Sequence, residues 1–350
     1  MKCFHPIDVS VKSGSDVVPV SVSLDKGIKR RSAFNGRSSF LVPCGRCIAC
    51  KARRKSEYVF RMDCERRLGH LDSEGNVKRF RHCFFITLTY APEFLPHFVP
   101  VRYDTRTGEL FDFVEVSQEH TGLLNPEHLV SFMKRLRTYY KLDCKAFLCG
   151  EYGDDYSRPH YHLIFYSDLN WQDCVNAVRR AWSMKCPSEL RHKPGSFVVK
   201  DGKYCTWRRS FGRIEVKPVN MRRIRYCAKY VCKDTDTPHE IKKFGRASCR
   251  LGSAFLLSAE CRAVRQNKRL FAYTQDGKRA SLGRYFTHRI FRKDELRDCV
   301  DAFIEEFESP PEGSEFGEKY KRWYDVHLRQ NNALYRQALA NQLIPQLCYV

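Results

Sequence analysis

The chain has 350 residues and a formal net charge of +22, with 62 lysine or arginine residues against 40 aspartate or glutamate residues. Its 43% hydrophobic content is that of a globular protein, which excludes a disordered chain. The excess of cations favours a polyanionic partner, and the 13% aromatic content adds side chains on which bases stack. We therefore expect a nucleic-acid-binding protein rather than a merely well-charged surface. No apolar run reaches the length of a membrane span, so no membrane partner is expected.

The seventeen cysteines indicate the redox environment. Their number is odd, the chain is long, and the N-terminal MKCFHPIDVS has no signal-peptide core. Disulfide frameworks are typical of short exported chains, so we expect reduced thiols in a cytoplasm.

Three of the cysteines follow the spacing C-x2-C-x2-C near the N-terminus. This spacing predicts a structural Zn2+ site that takes its fourth ligand from outside the run. A metal-free packed turn and part of an iron–sulfur run are the alternatives. The candidate zinc ligands are Cys44, Cys47 and Cys50 with Cys3, or with His5 or Cys64 in the place of Cys3.

The sequence divides into three regions. Residues 1–80 form a cysteine-rich, basic N-terminal region in which a helix is predicted from Lys51 onward. Residues 81–235 alternate predicted strands with predicted helices. Residues 236–350 form a tail with little strand signal, which we expect to be mostly helical. An acidic helix-like stretch, a Pro/Gly linker and a basic helical end follow one another in that tail.

The middle region contains the elements that bear on function. Runs of aromatic and β-branched residues predict strands at 83–90, 145–153, 160–166 and 212–219. Apolar residues at helical spacing predict helices at 125–142, 171–184 and 220–234. Asn125 and Pro126 supply the N-cap and the first helical residue of the first of these helices.

The stretch SRPHYHLIFY places two histidines two residues apart in a strand. Side chains alternate between the faces of a strand, so His160 and His162 share one face and an apolar trio shares the other. Two imidazoles at this spacing can bind one divalent ion together with a carboxylate. If the polar turn DDYSRP closes a hairpin, Glu151 at the end of the preceding strand returns close to His160. A pair of ordinary solvated or hydrogen-bonded histidines is the alternative.

Helix 220–234 carries two tyrosines one turn apart. On a helical wheel its apolar residues fill one arc: Met221, Ile224, Cys227, Ala228 and Val231. Tyr226 and Tyr230 fall on the opposite side and share a face at i and i+4. The flanking cations are Arg222, Arg223, Lys229 and Lys233. We expect both tyrosines on a basic, solvent-side face where a phosphodiester docks.

A phenol with a pKa of about 10 attacks a phosphate poorly unless the phosphate is polarised and the phenolate is stabilised. A nearby metal ion and a lysine would do both. Attack by one tyrosine leaves a 5′-phosphotyrosyl link and a free 3′-OH, and the second tyrosine can reverse the polarity in a later round.

The motifs and their order resemble a known family. RPHYHLIF is similar to the histidine–hydrophobic–histidine motif of the HUH endonucleases that start rolling-circle replication, and FFITLTY resembles their first motif. YCAKY resembles the Tyr-x3-Tyr motif of two-tyrosine initiators. With PCGRCIAC before them and GRASCRLGSAF and LGRYF after them, the set is most similar to the replication initiators of gokushovirus-type microviruses, small phages with single-stranded DNA. The likeness runs from about Pro43 to about Phe286.

The resemblance implies roles for particular residues. Three of them would bind Mg2+ or Mn2+: His160, His162 and Glu151. Asp154 and Asp155 lie close in sequence and are alternatives for the third ligand. Tyr226 and Tyr230 would be the nucleophiles, and Lys229 a phosphate or phenolate partner.

The resemblance also implies a fold and partners. It implies an α+β fold in which an antiparallel sheet is flanked by helices, with residues 81–235 as an endonuclease core of the HUH or RNA-recognition-motif type. The expected substrate is single-stranded DNA at the viral origin, in the cytoplasm of the bacterial host. The sequence has no G-x4-G-K-[ST] loop, so a host helicase and DNA polymerase are expected partners. DNA contacts are expected from Arg158, Arg222, Arg223, Lys233, Lys51, Arg53 and Arg54.

Two other interpretations remain open on the sequence. A relaxase or single-strand transposase of the HUH type is disfavoured, because here the tyrosines follow the histidines and the chain is long. A non-catalytic, zinc-stabilised nucleic-acid-binding protein would use His160 and His162 only structurally. Metal-dependent strand cleavage separates this last class from the enzymes.

Overall fold

The computed structural model describes residues 7–11, 17–20, 39–42, 48–103, 110–115, 122–138, 140–153, 158–201, 204–230, 244–292, 295–296 and 298–299. Several predictions fall outside these residues. They concern Cys3, Cys44, Cys47, Asp154, Asp155, Lys233 and the linker and basic end of the tail. The zinc site therefore stays a prediction.

The chain divides into two compact units. One comprises residues 1–57, 264–271 and 281–350, and the other comprises 58–263 and 272–280. The candidate metal ligands and both tyrosines belong to the second unit. The three regions drawn from composition stay a prediction.

The described strands, β1 to β17 in chain order, are Ile7–Val11, Val17–Val20, Ser39–Val42, His70–Leu71, Val77–Lys78, His82–Thr89, Phe98–Tyr103, Leu110–Glu115, Cys144–Tyr152, Pro159–Ser167, Ser183–Lys185, Ser196–Asp201, Tyr204–Ser210, Ile214–Pro218, Phe244–Ala247, Phe271–Tyr273 and Arg279–Ser281. The described α-helices, α1 to α6, are Ile48–Arg67, Pro126–Thr138, Trp171–Ala181, Met221–Tyr230, Ala259–Gln266 and Gly283–Ile290.

A five-stranded antiparallel sheet forms the centre of the second unit, in the order β14-β6-β10-β9-β15. The histidine strand β10 is central and pairs with β6 and β9, which confirms the predicted hairpin of β9 and β10. A smaller antiparallel sheet of order β11-β13-β12 lies between α3 and β14 in the chain. In the first unit, β2, β1 and β3 form a three-stranded antiparallel sheet.

Helices cover both faces of the central sheet, because alternate residues of its strands are apolar on each face. One apolar cluster joins α2 and α3 to residues of β6 and β10, among them Ile86, Leu88, Tyr161, Leu163 and Phe165. The other joins α4 and the second half of α1 to the opposite face, among them Met62, Phe85, Phe147, Ile164 and Ile224. The predicted α+β class, an antiparallel sheet flanked by helices, is confirmed.

Asparagine caps fix where three of the helices begin. The side chain of Asn125 accepts from the backbone N–H of Glu127 at 3.0 Å, as the sequence predicts for α2. Asn170 accepts from the N–H of Asp173 at 2.9 Å and begins α3. Asn220 accepts from the N–H of Arg223 at 3.0 Å and begins α4. Each of these side chains satisfies a backbone donor that the first helical turn leaves unpaired.

Two predicted helices end earlier than expected. α2 ends at Thr138 rather than at 142, and Lys141 adopts the left-handed backbone conformation with a φ of 47°. α3 ends at Ala181 rather than at 184, because Ser183–Lys185 pairs with β13 as strand β11. In both places contacts outside the helix decide the boundary.

The tail departs most from its prediction. Its weak strand signal conceals Phe244–Ala247, which pairs with β9 and forms one edge of the central sheet. Phe271–Tyr273 and Arg279–Ser281 form a further two-stranded ribbon. These strands are short and contain glycine or charged residues, so pairing with a neighbour and not local propensity makes them strands.

In the described part of the chain, no helix combines the length and the apolar character that crossing a membrane requires.

Candidate metal and tyrosine site

Glu151 and His160 are a directly opposed pair of β9 and β10. The Nε2 atom of His160 lies 2.8 Å from Oε1 of Glu151. Its Nδ1 atom lies 3.0 Å from the carbonyl oxygen of Arg158. The hairpin therefore brings the carboxylate to the first histidine, as the sequence predicts.

His162 lies on the same face of β10, two residues further on. Its Nε2 atom is 2.6 Å from the same oxygen of Glu151. Its Nδ1 atom is 3.1 Å from the hydroxyl of Thr87, the residue opposite it on β6. The ring stacks on Phe85, with 5.2 Å between centroids and 18° between planes. The imidazole is therefore held on its edge and on its face.

Three side chains from two strands thus converge on one point. The ligand atoms of Glu151, His160 and His162 all lie within 4.8 Å of one another. The Nδ1–H of His160 donates to the Arg158 carbonyl, because a carbonyl can only accept. In the neutral imidazole the lone pair is then on Nε2, which points at the carboxylate oxygen. A proton or a metal cation between these atoms makes the contact favourable.

The protonation states suit a metal. Burial raises the pKa of the Glu151 carboxyl, but hydrogen bonds with His160 and His162 outweigh this, so its pKa lies below the usual value. Burial lowers the pKa of His162, and Glu151 offsets only part of that shift. An ionised carboxylate and a neutral imidazole are the forms that bind metal ions. The donor set fits a divalent cation.

The helix α4 places Tyr226 over this group. The hydroxyl of Tyr226 lies 3.2 Å from Oε1 of Glu151 and 3.5 Å from Nε2 of His162. The ring meets the His162 ring edge to face at 5.1 Å and is 40% exposed. Burial raises the pKa of the Tyr226 phenol to about 12, although a hydrogen bond with Tyr230 acts in the opposite direction. The phenol is therefore protonated at neutral pH, next to the candidate metal ligands and open to solvent.

The expectation that Tyr230 lies on the solvent-side face is wrong. Tyr230 is only 7% exposed, belongs to the apolar cluster under α4, and lies 6.0 Å from His162 with the rings nearly parallel. On the helical wheel it is nearer to the apolar arc than Tyr226 is, and the sheet that α4 covers extends under it. Its ring centroid is 4.8 Å from that of Tyr226. The two tyrosines therefore differ in access.

An open cleft of about 540 Å³ leads to the site. It is lined by Phe85, Thr87, Thr89, His160, His162, Glu215, Arg222, Arg223 and Tyr226. Four of these, Phe85, Thr87, Thr89 and Glu215, were not predicted as site residues. The strand motif FFITLTY holds three of them at alternate positions, which is a signal of a shared face. Glu215 carries no such signal, since only the pairing of β14 with β6 places it opposite Thr87.

The predicted DNA contacts fall in different places. Arg222 and Arg223 line the cleft, and Arg223 also bonds to the carbonyl of Pro218. Arg158 bonds to the carbonyl of Tyr90. Lys229 is exposed on α4. Lys51, Arg53 and Arg54 lie on the first half of α1, in the other compact unit.

Comparisons with known proteins agree with these features. Residues 83–235, which contain all three ligands and both tyrosines, match a family of phage-type replication-associated proteins described by its ORF2 members. The replication-associated protein ORF2 of Spiroplasma virus 4 is 23% identical over 309 residues, which cover 84% of this chain and 81% of that protein. No solved structure matches the chain.

Two further relatives come from other small phages. The replication-associated protein ORF4 of Chlamydia phage 1 is 25% identical over 302 residues, which cover 81% of this chain and 57% of that protein. The replication-associated protein VP4 of Bdellovibrio phage phiMH2K is 25% identical over 167 residues, covering 48% of this chain and 42% of that protein. Together these matches indicate a phage replication-associated protein. They support a microvirus-type replication initiator, and the predicted resemblance is confirmed.

Proposed function

We propose that this protein is a metal-dependent single-stranded DNA endonuclease and strand transferase of the HUH type. It nicks the viral origin, remains joined to the DNA by a 5′-phosphotyrosine, and leaves a 3′-OH from which rolling-circle replication proceeds. At termination it rejoins the strand. The observation that carries this proposal is the position of the Tyr226 hydroxyl, 3.2 Å from Glu151 and 3.5 Å from His162.

The chemistry follows from the residues around Tyr226. Its Oη attacks the scissile phosphorus in line, the bond from phosphorus to the 3′ oxygen breaks, and the phosphorus stays joined to the tyrosine. The phenol proton passes to water in the open cleft, and the leaving 3′ oxygen takes up a proton from water. A Mg2+ or Mn2+ ion held by Glu151, His160 and His162 would withdraw charge from the phosphate. In rejoining, a 3′-OH attacks the phosphotyrosine and the phenol is regenerated.

Cations around the cleft hold the DNA strand in this proposal. Arg222 and Arg223 line the cleft and contact phosphates on either side of the scissile bond. Lys229, one residue before Tyr230, stabilises the phenolate or a phosphate. Arg158 and Lys233 are further contacts near the site. Lys51, Arg53 and Arg54 offer basic groups in the other compact unit.

The two tyrosines act in turn. Tyr226 is 40% exposed beside the ligand group, whereas Tyr230 is buried, so Tyr226 makes the first attack. Tyr230 gains access only after Tyr226 has moved away with its DNA, because the two rings are in contact. Unwinding and synthesis are left to a host helicase and polymerase in the bacterial cytoplasm.

The proposal is tested by cleavage of labelled single-stranded DNA that covers the phage origin in overlapping pieces. With Mn2+ we expect one piece to be cut and to carry a covalent adduct, which peptide mapping places on Tyr226. Tyr226→Phe should abolish the adduct, and the matched Tyr230→Phe should keep the first cleavage. EDTA and His162→Ala should each prevent cleavage.

Some results would contradict the proposal. Intact DNA with tight binding by the wild-type protein would leave only the non-catalytic binding protein. An adduct that maps to Tyr230 and persists in Tyr226→Phe would reverse the assigned order. Circular dichroism of each variant separates a catalytic defect from loss of fold.

A further inference from the structure

The small sheet β11-β13-β12 ends in a two-stranded ribbon. β11 pairs only with Arg208–Ser210 at the base of β13. Beyond that, β12 and β13 continue alone, with Val198 opposite Trp207 and Lys200 opposite Cys205. Over this outer part the two strands are each other's neighbours in the sheet, which gives a narrow antiparallel ribbon.

The ribbon does not contribute to the core of its unit. Among the described residues, no side chain of β12 or β13 belongs to either apolar cluster of the central sheet. Val198 is 40% exposed, and Lys200, Cys205 and Thr206 are exposed as well. A ribbon with exposed side chains on both faces is suited to contact a partner.

Cations surround the ribbon. Between residues 183 and 211 the sequence has seven lysine or arginine residues and two acidic residues, Glu189 and Asp201. Four of the cations are exposed: Lys185, Arg191, Lys193 and Lys200. The His192 ring meets Trp207 edge to face at 5.0 Å, which sets Arg191 and Lys193 beside the ribbon. The positive charge therefore points to a polyanion.

The other two described arginines brace the ribbon instead. Arg208 donates to the hydroxyl and carbonyl of Ser183 at 2.8 and 2.7 Å. Arg209 donates to the carbonyl of Pro194 at 2.8 Å. These bonds hold the base of the ribbon against β11 and the preceding loop, so the ribbon is a stiff projection.

The ribbon is continuous with the lip of the cleft. The chain leaves β13 and immediately pairs with the end of β6: the N–H of Ala91 donates to the carbonyl of Phe211 at 2.7 Å, and the N–H of Thr89 to that of Arg213 at 3.0 Å. Thr89 lines the cleft and Arg213 is exposed. DNA that leaves the cleft at this end meets Arg213 and then the basic ribbon.

We propose that the ribbon β12–β13, with the loop that carries Arg191 and Lys193, binds duplex DNA next to the nick site. A two-stranded β-ribbon fits the width of the major groove, and its flanking cations then lie against the phosphates of both strands. The proposal rests on the proposed function to the extent that the cleft holds the adjoining single strand. The ribbon would thereby position the origin, a task separate from the chemistry at Tyr226.

The test compares two DNA probes with the full-length protein. One is a plain single strand of mixed sequence, and the other is the same strand with a hairpin stem of about one helical turn at one end. Fluorescence anisotropy gives Kd for each. We expect the wild-type protein to bind the stem-bearing probe more tightly. Lys193→Gln/Lys200→Gln should weaken binding of that probe about tenfold and of the plain strand less than about twofold, and should reduce the salt slope for the stem-bearing probe by about 2.

A matched pair controls for overall charge. Lys134 on α2 and Arg179 on α3 are exposed on helices that cover the other face of the central sheet. Lys134→Gln/Arg179→Gln removes the same charge and should leave the preference for the stem intact. Equal weakening of both probes, an equal effect of the control pair, or no preference for the stem in the wild-type protein would each overturn the proposal. Nicking is scored on the same probes, so a protein without nicking activity that still prefers the stem would contradict the proposed function alone.

Discussion

Thr87 shows how a residue outside the ligand group can decide what the group does. Its hydroxyl is 3.1 Å from Nδ1 of His162, while Nε2 of the same ring faces Glu151. The hydroxyl can fix which ring nitrogen carries the proton and how the ring is turned. Histidine ligands of metals are commonly held in this way by a partner on the second nitrogen.

We predict that Thr87→Val weakens metal binding. Valine has nearly the same shape but cannot bond to Nδ1, so the orientation and the tautomer of His162 are no longer fixed. Loss of such a partner typically costs about tenfold or more in metal affinity. Mn2+ titration followed by calorimetry measures the change.

Thr89→Val is the control for this prediction. The Thr89 hydroxyl also faces the cleft, but it donates to the carbonyl of Arg213 at 3.0 Å and not to a histidine. Mn2+ affinity in this variant should match that of the wild-type protein. Equal losses in both variants would mean that Thr87 acts through the shape of the cleft and not through His162.

At the scale of elements, the two faces of the central sheet have different roles. On the face of α4, a polar group interrupts the apolar packing and opens to solvent. On the other face, α2 carries His128, whose Nδ1 lies 2.8 Å from the Tyr90 hydroxyl and whose ring stacks on Phe211 at 4.5 Å. Burial lowers the pKa of His128 to about 4, and the charge of Arg135 adds to this effect. This helix is therefore attached to the sheet by a histidine that must stay neutral.

We predict that this attachment weakens in acid. The unfolded chain takes up a proton at His128 near pH 6.5, and the folded chain does so only near pH 4. Stability is therefore lost as the pH falls through this window, because the unfolded state binds more protons there. The contribution of His128 should fall by about 2 kcal/mol between pH 7 and pH 4.5.

Urea unfolding at the two pH values, in the wild-type protein and in His128→Gln, isolates this contribution. Trp182 is a suitable fluorescent reporter, since its ring lies 5.3 Å from that of Tyr90. Glutamine keeps a polar partner for Tyr90 and does not titrate, so the variant should lose less stability in acid. Identical pH dependence in the two proteins would show that His128 is not held neutral by the fold.

At the scale of the whole molecule, the net charge of +22 sets how DNA binding responds to salt. Some cations are used internally: Arg66 and Arg67 both pair with the buried Asp63, and Arg225 pairs with Asp276 at 2.6 Å. Others lie exposed around the cleft. Counterions released from the DNA phosphates then drive much of the binding.

We predict a steep loss of affinity for single-stranded DNA with salt. If about six phosphates are neutralised, the logarithm of the binding constant falls with a slope of about −4 against the logarithm of salt concentration. Between about 50 and 200 mM salt this is a loss of about 10²-fold. Anisotropy titrations measure the slope, and an oligonucleotide of the same bases on an uncharged backbone should show almost none. A flat response with natural DNA would mean that stacking and not charge dominates.

Local rules were sufficient for part of the site. Alternation along a strand places His160 and His162 on one face whatever surrounds them, and helical periodicity brings Tyr226 and Tyr230 within one turn of each other. The hairpin that returns Glu151 to His160 is also a short-range feature, since only a turn separates the two strands. These inferences needed no knowledge of distant parts of the chain.

Tertiary structure decided the rest, because it depends on which distant segments become neighbours. The burial of Tyr230 follows from how α4 lies on the sheet, and the positions of Thr87 and Glu215 follow from the pairing of β6 with β10 and β14. The strand at 244–247 exists because β9 offers an open edge to it. The sequence by itself determined the two histidines, the carboxylate and the tyrosine pair. Only long-range pairing decided which tyrosine meets solvent and what supports the ligands, since periodicity defines a face but not the segment that packs against it.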